Sequence, residues 1–360
     1  MVRIAVHGSY FVNNFGDTLL VKMLCDRAAK QVGRENVFLA VPAHAAEQAS
    51  IGYPIVPPEA RKDIDLLLYS GGGYFGDAAD SLYDRYVAAR KRSARHLSWL
   101  GDYRNAAKAV IAVGVGPIGF NRQAVRDLFG SSLAVLVRDA ESYAYCRSYG
   151  FADHNLGQCV DMALSLDPVG QEGRSGVALH VPEMAPRDLE TVFRVLAASP
   201  ACRSAERIDV IYDSPSGPSV GAFEAALQSI AQSVFGRNLP IKPYPGLEPM
   251  LAALESYELV VTNKLHVGIV TIAKGGRVIS TPHHIKTPRL YRQLGLSDYC
   301  VPLSSLTPQD LAAAIEKLPD FAPDRGVIAE GVQTIEDTVQ RVLDEMLDRT
   351  ARPLQASVAV

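Results

Sequence analysis

This chain has no cysteine pair at metal-ligand spacing, a single tryptophan, no apolar run long enough to cross a membrane and no excess of positive charge. Its five cysteines, Cys25, Cys146, Cys159, Cys202 and Cys300, are odd in number and widely spread. That argues against a disulfide scaffold or a cysteine-built zinc centre and suits reduced thiols in a cytosol. A formal net charge of −3 offers polyanions no general attraction, so nucleic acid is not an expected partner and any phosphate or carboxylate must be held by local cations. The chain runs directly from Met1 into the strand-like Val2-Arg3-Ile4-Ala5-Val6-His7 without the apolar stretch of a secretory leader. A cytoplasmic protein is expected.

What is present is a globular composition, 48% hydrophobic and 21% charged over 360 residues, enough for two domains with sizeable cores. Short apolar runs bounded by turn residues read as strands at 3–7, 37–41, 65–69, 109–113 and 133–137, and again at 177–181, 207–212, 239–242, 257–262 and 277–280. Helical patterns fill the gaps. Residues 17–32 carry Leu19, Leu20, Met23, Leu24 and Ala28 on one face and stop at Gly33, and 141–149 stop at Gly150. This alternation predicts an α/β chain of two Rossmann-like domains whose parallel sheets face each other across a cleft. The Pro, Gly and charged residues from Asp167 to Gly176 read as the linker, giving domains at 1–168 and 175–325. Residues 326–350 read as a helix that crosses back, and 351–360 as a flexible tail. No internal repeat or low-complexity tract is apparent.

The strongest chemical signal is Thr262-Asn263-Lys264-Leu265-His266, where the apolar strand Leu259-Val260-Val261 gives way to an apolar helix. In open α/β sheets ligands sit beyond the carboxyl ends of strands, where helix N-termini offer N–H groups to anions. A second basic cluster, Thr281-Pro282-His283-His284-Ile285-Lys286, follows the next strand. Together they suggest a bound anion, with His266 suited to proton transfer near neutral pH.

Several loops after first-domain strands have both a structural and a functional reading. Asn13, Asn14 and Asp17 either cap the first helix or touch a ligand. Gly71-Gly72-Gly73, leading to Asp77, suit an αL turn or a phosphate nest, though no Gly-Lys-Ser/Thr follows to make a Walker loop. Gly114-Val115-Gly116-Pro117-Ile118-Gly119 fits a dinucleotide fingerprint with Asp139 about twenty residues on. Here, however, the helix cap reads as Asn121, beyond the glycines, and nicotinamide binding is disfavoured. Arg138 ends a buried strand in Val137-Arg138-Asp139-Ala140-Glu141-Ser142; it could pair with Asp139 or Glu141, but a guanidinium there suits bidentate contact with a carboxylate or phosphate. His7, His44, His96, His154 and His180 lack comparable context and read as structural or exposed. Tyr74, Phe75, Tyr83 and Tyr86 read as packing or as an acceptor platform.

Taken in order, Asn13/Asn14-Phe15-Gly16-Asp17, Gly71-Gly72-Gly73 with Asp77, Gly114-Val115-Gly116-Pro117, Val137-Arg138-Asp139 with Ser142, Lys264-Leu265-His266, and Lys286 before Gln293-Leu294-Gly295-Leu296 resemble the polysaccharide pyruvyl transferase family over roughly residues 3–300. The resemblance implies a fold similar to GT-B glycosyltransferases. It also implies transfer of the enolpyruvyl carbons of phosphoenolpyruvate onto a sugar of a cell-surface polysaccharide or its precursor, commonly closing as a pyruvate ketal with release of phosphate. Arg138, Lys264, Leu265, His284 and Lys286 then fall on the donor side and His266 at the catalytic histidine. Asp17 is the weaker catalytic candidate, as an acceptor base or positioning group; Asn13, Asn14 and Gly71 to Gly73 fall on the acceptor side. Converging cations from the two domains would bind the trianionic donor. Neither a metal nor a cofactor is expected beyond phosphoenolpyruvate as donor substrate.

Two other readings stay open at this point: a GT-B glycosyltransferase using a nucleotide sugar, and a catalytically inactive partner in a glycan-assembly complex. The acceptor sugar, its linkage to lipid, peripheral contact with the inner face of the membrane, and homo-oligomerisation also stay open.

Overall fold

The computed structural model describes all residues except 13, 77–93, 119–120, 152–153, 171, 183, 214–219, 245 and 357–360. The chain forms two compact units, Met1–Met162 with Gly326–Val360, and Ala163–Arg325.

The first unit is built on strands β1 (Ile4–His7), β2 (Val37–Leu39), β3 (Leu66–Tyr69), β4 (Gly72–Phe75), β5 (Ala107–Val115), β6 (Val135–Val137) and β7 (Leu156–Gln158). They run parallel in the order β2-β1-β3-β5-β6-β7, with β4 also paired to β5. Helices α1 (Phe15–Val32), α2 (Ala45–Ile51), α3 (Arg122–Gly130) and α4 (Ala140–Ser148) connect them. Strand β1 is buried at every position, as are β3 and β6, which explains why they read as unbroken apolar runs: helices cover a parallel sheet on both faces. Leu19, Leu20, Met23, Leu24 and Ala28 of α1 are buried as their periodicity predicts.

The second unit contains β8 (Val177–His180), β9 (Ile208–Tyr212), β10 (Ile241–Pro243), β11 (Leu259–Thr262) and β12 (Arg277–Ser280), parallel in the order β10-β9-β8-β11-β12. Its helices are α5 (Pro186–Ala198), α6 (Pro200–Arg203), α7 (Val220–Phe235), α8 (Leu247–Ser256), α9 (Leu265–Ala273), α10 (Lys286–Gln293) and α11 (Pro308–Glu316). The last helix, α12 (Arg325–Ala356), belongs to the first unit from Gly326 onward. It buries Ile335, Val342 and Leu343, and Glu336 pairs with Arg27 of α1 at 2.8 Å.

Two expectations need correction. Gly71 to Gly73 do not form a nest-like turn: Gly72 opens β4 and pairs with Val113 of β5. Gly72 adopts φ 134°, a conformation that disfavours side chains, and a β-carbon there would also meet the Tyr74 ring at 2.9 Å. The supposed dinucleotide fingerprint begins inside a strand, since Gly114 lies within β5 and α3 starts only at Arg122. Gly114 is small for another reason: a β-carbon would lie 2.9 Å from the Arg138 guanidinium. β7 carried no recognisable strand signal, because its residues Leu-Gly-Gln include glycine and are half-buried or exposed.

Each sheet reverses its strand order once. In the first unit the reversal falls between β1 and β3, and in the second between β8 and β11. Both are topological switch points, where open α/β sheets place ligands.

Candidate functional site

At the switch point of the second sheet, β11 ends at Thr262 and α9 begins at Leu265. The Thr262 hydroxyl accepts the backbone N–H of Lys264 at 3.0 Å, and Asn263 donates its side-chain amide to the Pro182 carbonyl at 2.7 Å. These bonds fix the turn that delivers Lys264 to the helix N-cap. Its side chain is exposed and no side chain caps the helix, so the positive end of α9 and an ammonium group share one position. Leu265 is buried at the first helical position and contributes backbone only; His266, on the first turn, is 9% exposed. Two further buried polar atoms at these strand ends, Asn263 Oδ1 and Thr281 Oγ1, have no hydrogen-bond partner among the described residues. Orphaned polar groups in such a place mark a site that a ligand or water completes.

The neighbouring strand β12 pairs Ser280 with Thr262 and leads to the second basic cluster. His284 is exposed and Lys286 half-buried as the first residue of α10. Adjacent strands thus carry both predicted cation clusters to the same end of the sheet.

His180, which sequence reasoning passed over, completes this end. It is fully buried at the end of β8, with Nδ1 3.1 Å from Thr262 Oγ1 and Nε2 3.2 Å from Asp213 Oδ1. The latter is a close contact whose geometry falls short of a hydrogen bond. Burial opposes ionisation of Asp213, but His180 and then Lys264 outweigh it and hold the carboxyl below its ordinary range. Asp213 is therefore ionised at neutral pH beside Lys264.

At the switch point of the first sheet, Asn14 is the N-cap of α1: its Oδ1 accepts from the backbone N–H groups of Gly16 at 3.0 Å and Asp17 at 3.3 Å. Asp17 is half-buried, and a β-carbon at Gly72 would lie 3.2 Å from its Oδ1. Gly71 and Gly72 are buried and Gly73 half-buried. Asn13, Asp77, Tyr83 and Tyr86 lie outside the described residues. Beside Asp17 stands an aromatic and imidazole cluster. Tyr74 stacks on His96 with ring centroids 4.0 Å apart, and His96 Nδ1 lies 2.9 Å from His7 Nε2. On its other side, His96 Nε2 lies 3.2 Å from the Ser9 hydroxyl. His7 ends the first strand of the first unit as His180 ends the first strand of the second. That shared position was the one available sequence signal for both histidines.

Arg138 follows β6 and is 1% exposed. Its Nη1 lies 3.0 Å from the fully buried Asp161 and its Nε 3.9 Å from Asp139. Asp139 also caps α4 by accepting the Ser142 N–H at 2.7 Å. The guanidinium makes a buried ion pair that ties the end of β6 to the end of β7, while its Nε has no hydrogen-bond partner among the described residues. Among the described residues, no three His, Cys, Asp or Glu side chains are arranged to hold a metal, and no helix is long and apolar enough to cross a membrane. A cavity of about 610 Å³ in the second unit lies at the opposite, amino-terminal end of β8, β11 and β12, lined by Arg174, Glu258 and Arg277; it contains none of the predicted site residues.

Residues 14–284 match a family model described as polysaccharide pyruvyl transferase. No curated protein sequence matches the chain. Solved structures share the fold at low identity. A putative UDP-N-acetylglucosamine 2-epimerase from Listeria monocytogenes is 11% identical, with 98% of this chain and 97% of that one covered at a TM-score of 0.58. The UDP-GlcNAc 2-epimerase from Neisseria meningitidis, bound to UDP-GlcNAc, is 10% identical, with 97% and 100% covered at 0.57. That from Methanocaldococcus jannaschii, in complex with UDP-GlcNAc and UDP, is 9% identical, with 96% and 99% covered at 0.53. The likeness places this chain among GT-B-like α/β folds and, at such identities, carries the fold alone.

Proposed function

The chain belongs to the polysaccharide pyruvyl transferase family, and from that premise we propose that it moves the enolpyruvyl carbons of phosphoenolpyruvate onto saccharide hydroxyls, closing them as a pyruvate ketal. The observation that carries this reading is the exposed Lys264 at the uncapped start of α9, with His266 on the same first turn. A small trianion needs concentrated positive charge, and an ammonium at a helix N-terminus supplies it. Lys286 at the start of α10 is the second donor cation, with His284 beside it and the Leu265 N–H as a backbone donor. Asn263 and Thr281 offer polar atoms to the donor's carboxylate or phosphate.

In this reading His266, protonated, gives its proton to the donor methylene. Oxocarbenium character develops at C2, a sugar hydroxyl attacks it, phosphate leaves, and a second hydroxyl closes the ketal. The lysines stabilise the departing phosphate. Asp17, beside Gly72 and Tyr74, positions the acceptor, with Asn14 holding the turn that presents it and Asn13 as a further sugar contact. Arg138 is a further candidate donor cation, and its pair with Asp161 ties the ends of β6 and β7. The nucleotide sugars in the neighbouring structures belong to those proteins.

Isothermal titration with phosphoenolpyruvate, UDP-glucose and GDP-mannose tests the donor. Phosphoenolpyruvate alone should bind. Lys264→Ala should weaken that binding by about 10- to 100-fold, the range expected for one charge-assisted contact. His266→Ala should retain the affinity while slowing turnover by about 10²- to 10⁴-fold. Binding of a nucleotide sugar instead would make the protein a glycosyltransferase and remove this mechanism.

A further inference from the structure

We propose that Asp213 is the resting counter-ion of Lys264: its carboxylate offsets the ammonium while the site is empty and gives it up to the arriving donor. The assignment rests on the pyruvyl-transfer reading above and adds the residue that sets how tightly the site holds its anions. A lysine is an unfavourable choice at this place. Helix N-caps are served best by Ser, Thr, Asp or Asn, and a cation there meets the positive end of the helix. Lys264 nevertheless holds the N-cap of α9, exposed and with no side chain capping the helix. An anion relieves that conflict, and the donor can do so only when bound.

Asp213 stands where a permanent anion can do the same. It follows β9 directly, Lys264 lies two residues beyond the end of β11, and β8 runs between those two strands. The buried His180 at the end of β8 reaches both sides. Its Nε2 is 3.2 Å from Asp213 Oδ1, and its Nδ1 is 3.1 Å from the hydroxyl of Thr262, which accepts the Lys264 N–H at 3.0 Å. One imidazole thus fixes the carboxylate on one side and the turn that carries the lysine on the other. The Asp213 side chain is 18% exposed, and His180 and Lys264 keep it ionised. A charge contact of this partly exposed kind is modest, so a trianion outcompetes it. Thr281, whose N–H donates to the Thr262 carbonyl at 2.7 Å, is fully buried beside this turn with its hydroxyl unpartnered among the described residues, an opening for the donor's oxygen atoms. After transfer, the same carboxylate competes with the released phosphate for Lys264 and limits its retention.

Isothermal titration of the full chain with phosphoenolpyruvate and with inorganic phosphate, at one ionic strength, tests this. Asp213→Asn and Asp213→Ser, both neutral, should bind phosphoenolpyruvate about 5- to 30-fold more tightly than the natural chain, and phosphate, which carries less charge, by a smaller factor. A substitution that merely loosened the fold would weaken binding instead. Asp213→Glu, which keeps the charge, should stay within about threefold of the natural chain. In a Lys264→Ala background the gain from Asp213→Asn should shrink by at least about threefold, because no ammonium is left to be freed. Unchanged or weaker phosphoenolpyruvate binding by both neutral variants overturns the counter-ion assignment alone. So does an equal gain with and without Lys264, which would make Asp213 a plain repulsive charge. A natural chain that binds phosphate but not phosphoenolpyruvate overturns the pyruvyl reading, and the same comparison made with phosphate then decides the role of Asp213. A natural chain that binds neither overturns both.

Discussion

His180 Nε2 stands 3.2 Å from Asp213 Oδ1, joining the carboxyl ends of the neighbouring strands β8 and β9. The contact connects the second sheet's buried core to the turn that carries Lys264, because the same histidine reaches Thr262, whose hydroxyl holds the Lys264 N–H.

The pH dependence of that contact has a definite sign. The Asp213 carboxyl is depressed in the folded chain, so its contribution to stability is present above the unfolded carboxylate value, about 3.9, and is lost as pH falls through the lower folded value. Asp213→Asn should cost about 1–3 kcal/mol at pH 7, toward the lower end because the side chain is partly exposed. The gap from the natural chain should close below about pH 4. Guanidinium unfolding over a pH series reads this directly; a gap that stays constant down to pH 3 would rule it out.

Arg138 is a cation buried in an ion pair. Its pair with Asp161 is fully enclosed, and removing one partner leaves an uncompensated buried charge. Arg138→Met should destabilise the protein by about 3–5 kcal/mol. Gly114→Ala, whose methyl would press on the guanidinium, should cost about 1–3 kcal/mol. Thermal melts check both. If Arg138→Met melted with the natural chain and lost only phosphoenolpyruvate binding, the arginine would be a donor contact without a structural role.

Ala112, in the middle of β5, has φ 55°, the one non-glycine residue with positive φ among those described. The register of β5 against β6 shifts between Val110 and Val113, around this residue. A β-branched side chain is a strong outlier in this conformation. Ala112→Val should therefore destabilise by about 2–4 kcal/mol, whereas Ala112→Gly should stay within about 1 kcal/mol of the natural chain, strain relief offsetting lost entropy. Equal melting temperatures for the two variants would refute the argument.

The sequence by itself determined the architecture and set candidate residues at the strand ends. Apolar runs short enough for strands, helices with one buried face, and glycines after helix ends are local signals, so β1, β3, β8, β11 and α1 are legible in the sequence. The Lys264 and His266 pair was legible too, because a cation at a strand-to-helix junction is a local pattern. Tertiary structure alone decided what depends on neighbours distant in the chain. The tri-glycine run reads locally as a turn, yet pairing with β5 makes it a strand, and a guanidinium from another strand explains Gly114. His7 and His96 are 89 residues apart, and His180 and Thr262 are 82 apart. No periodicity or motif connects such pairs; parallel pairing brings the strand ends together at the switch points, and burial then fixes which nitrogen faces which partner.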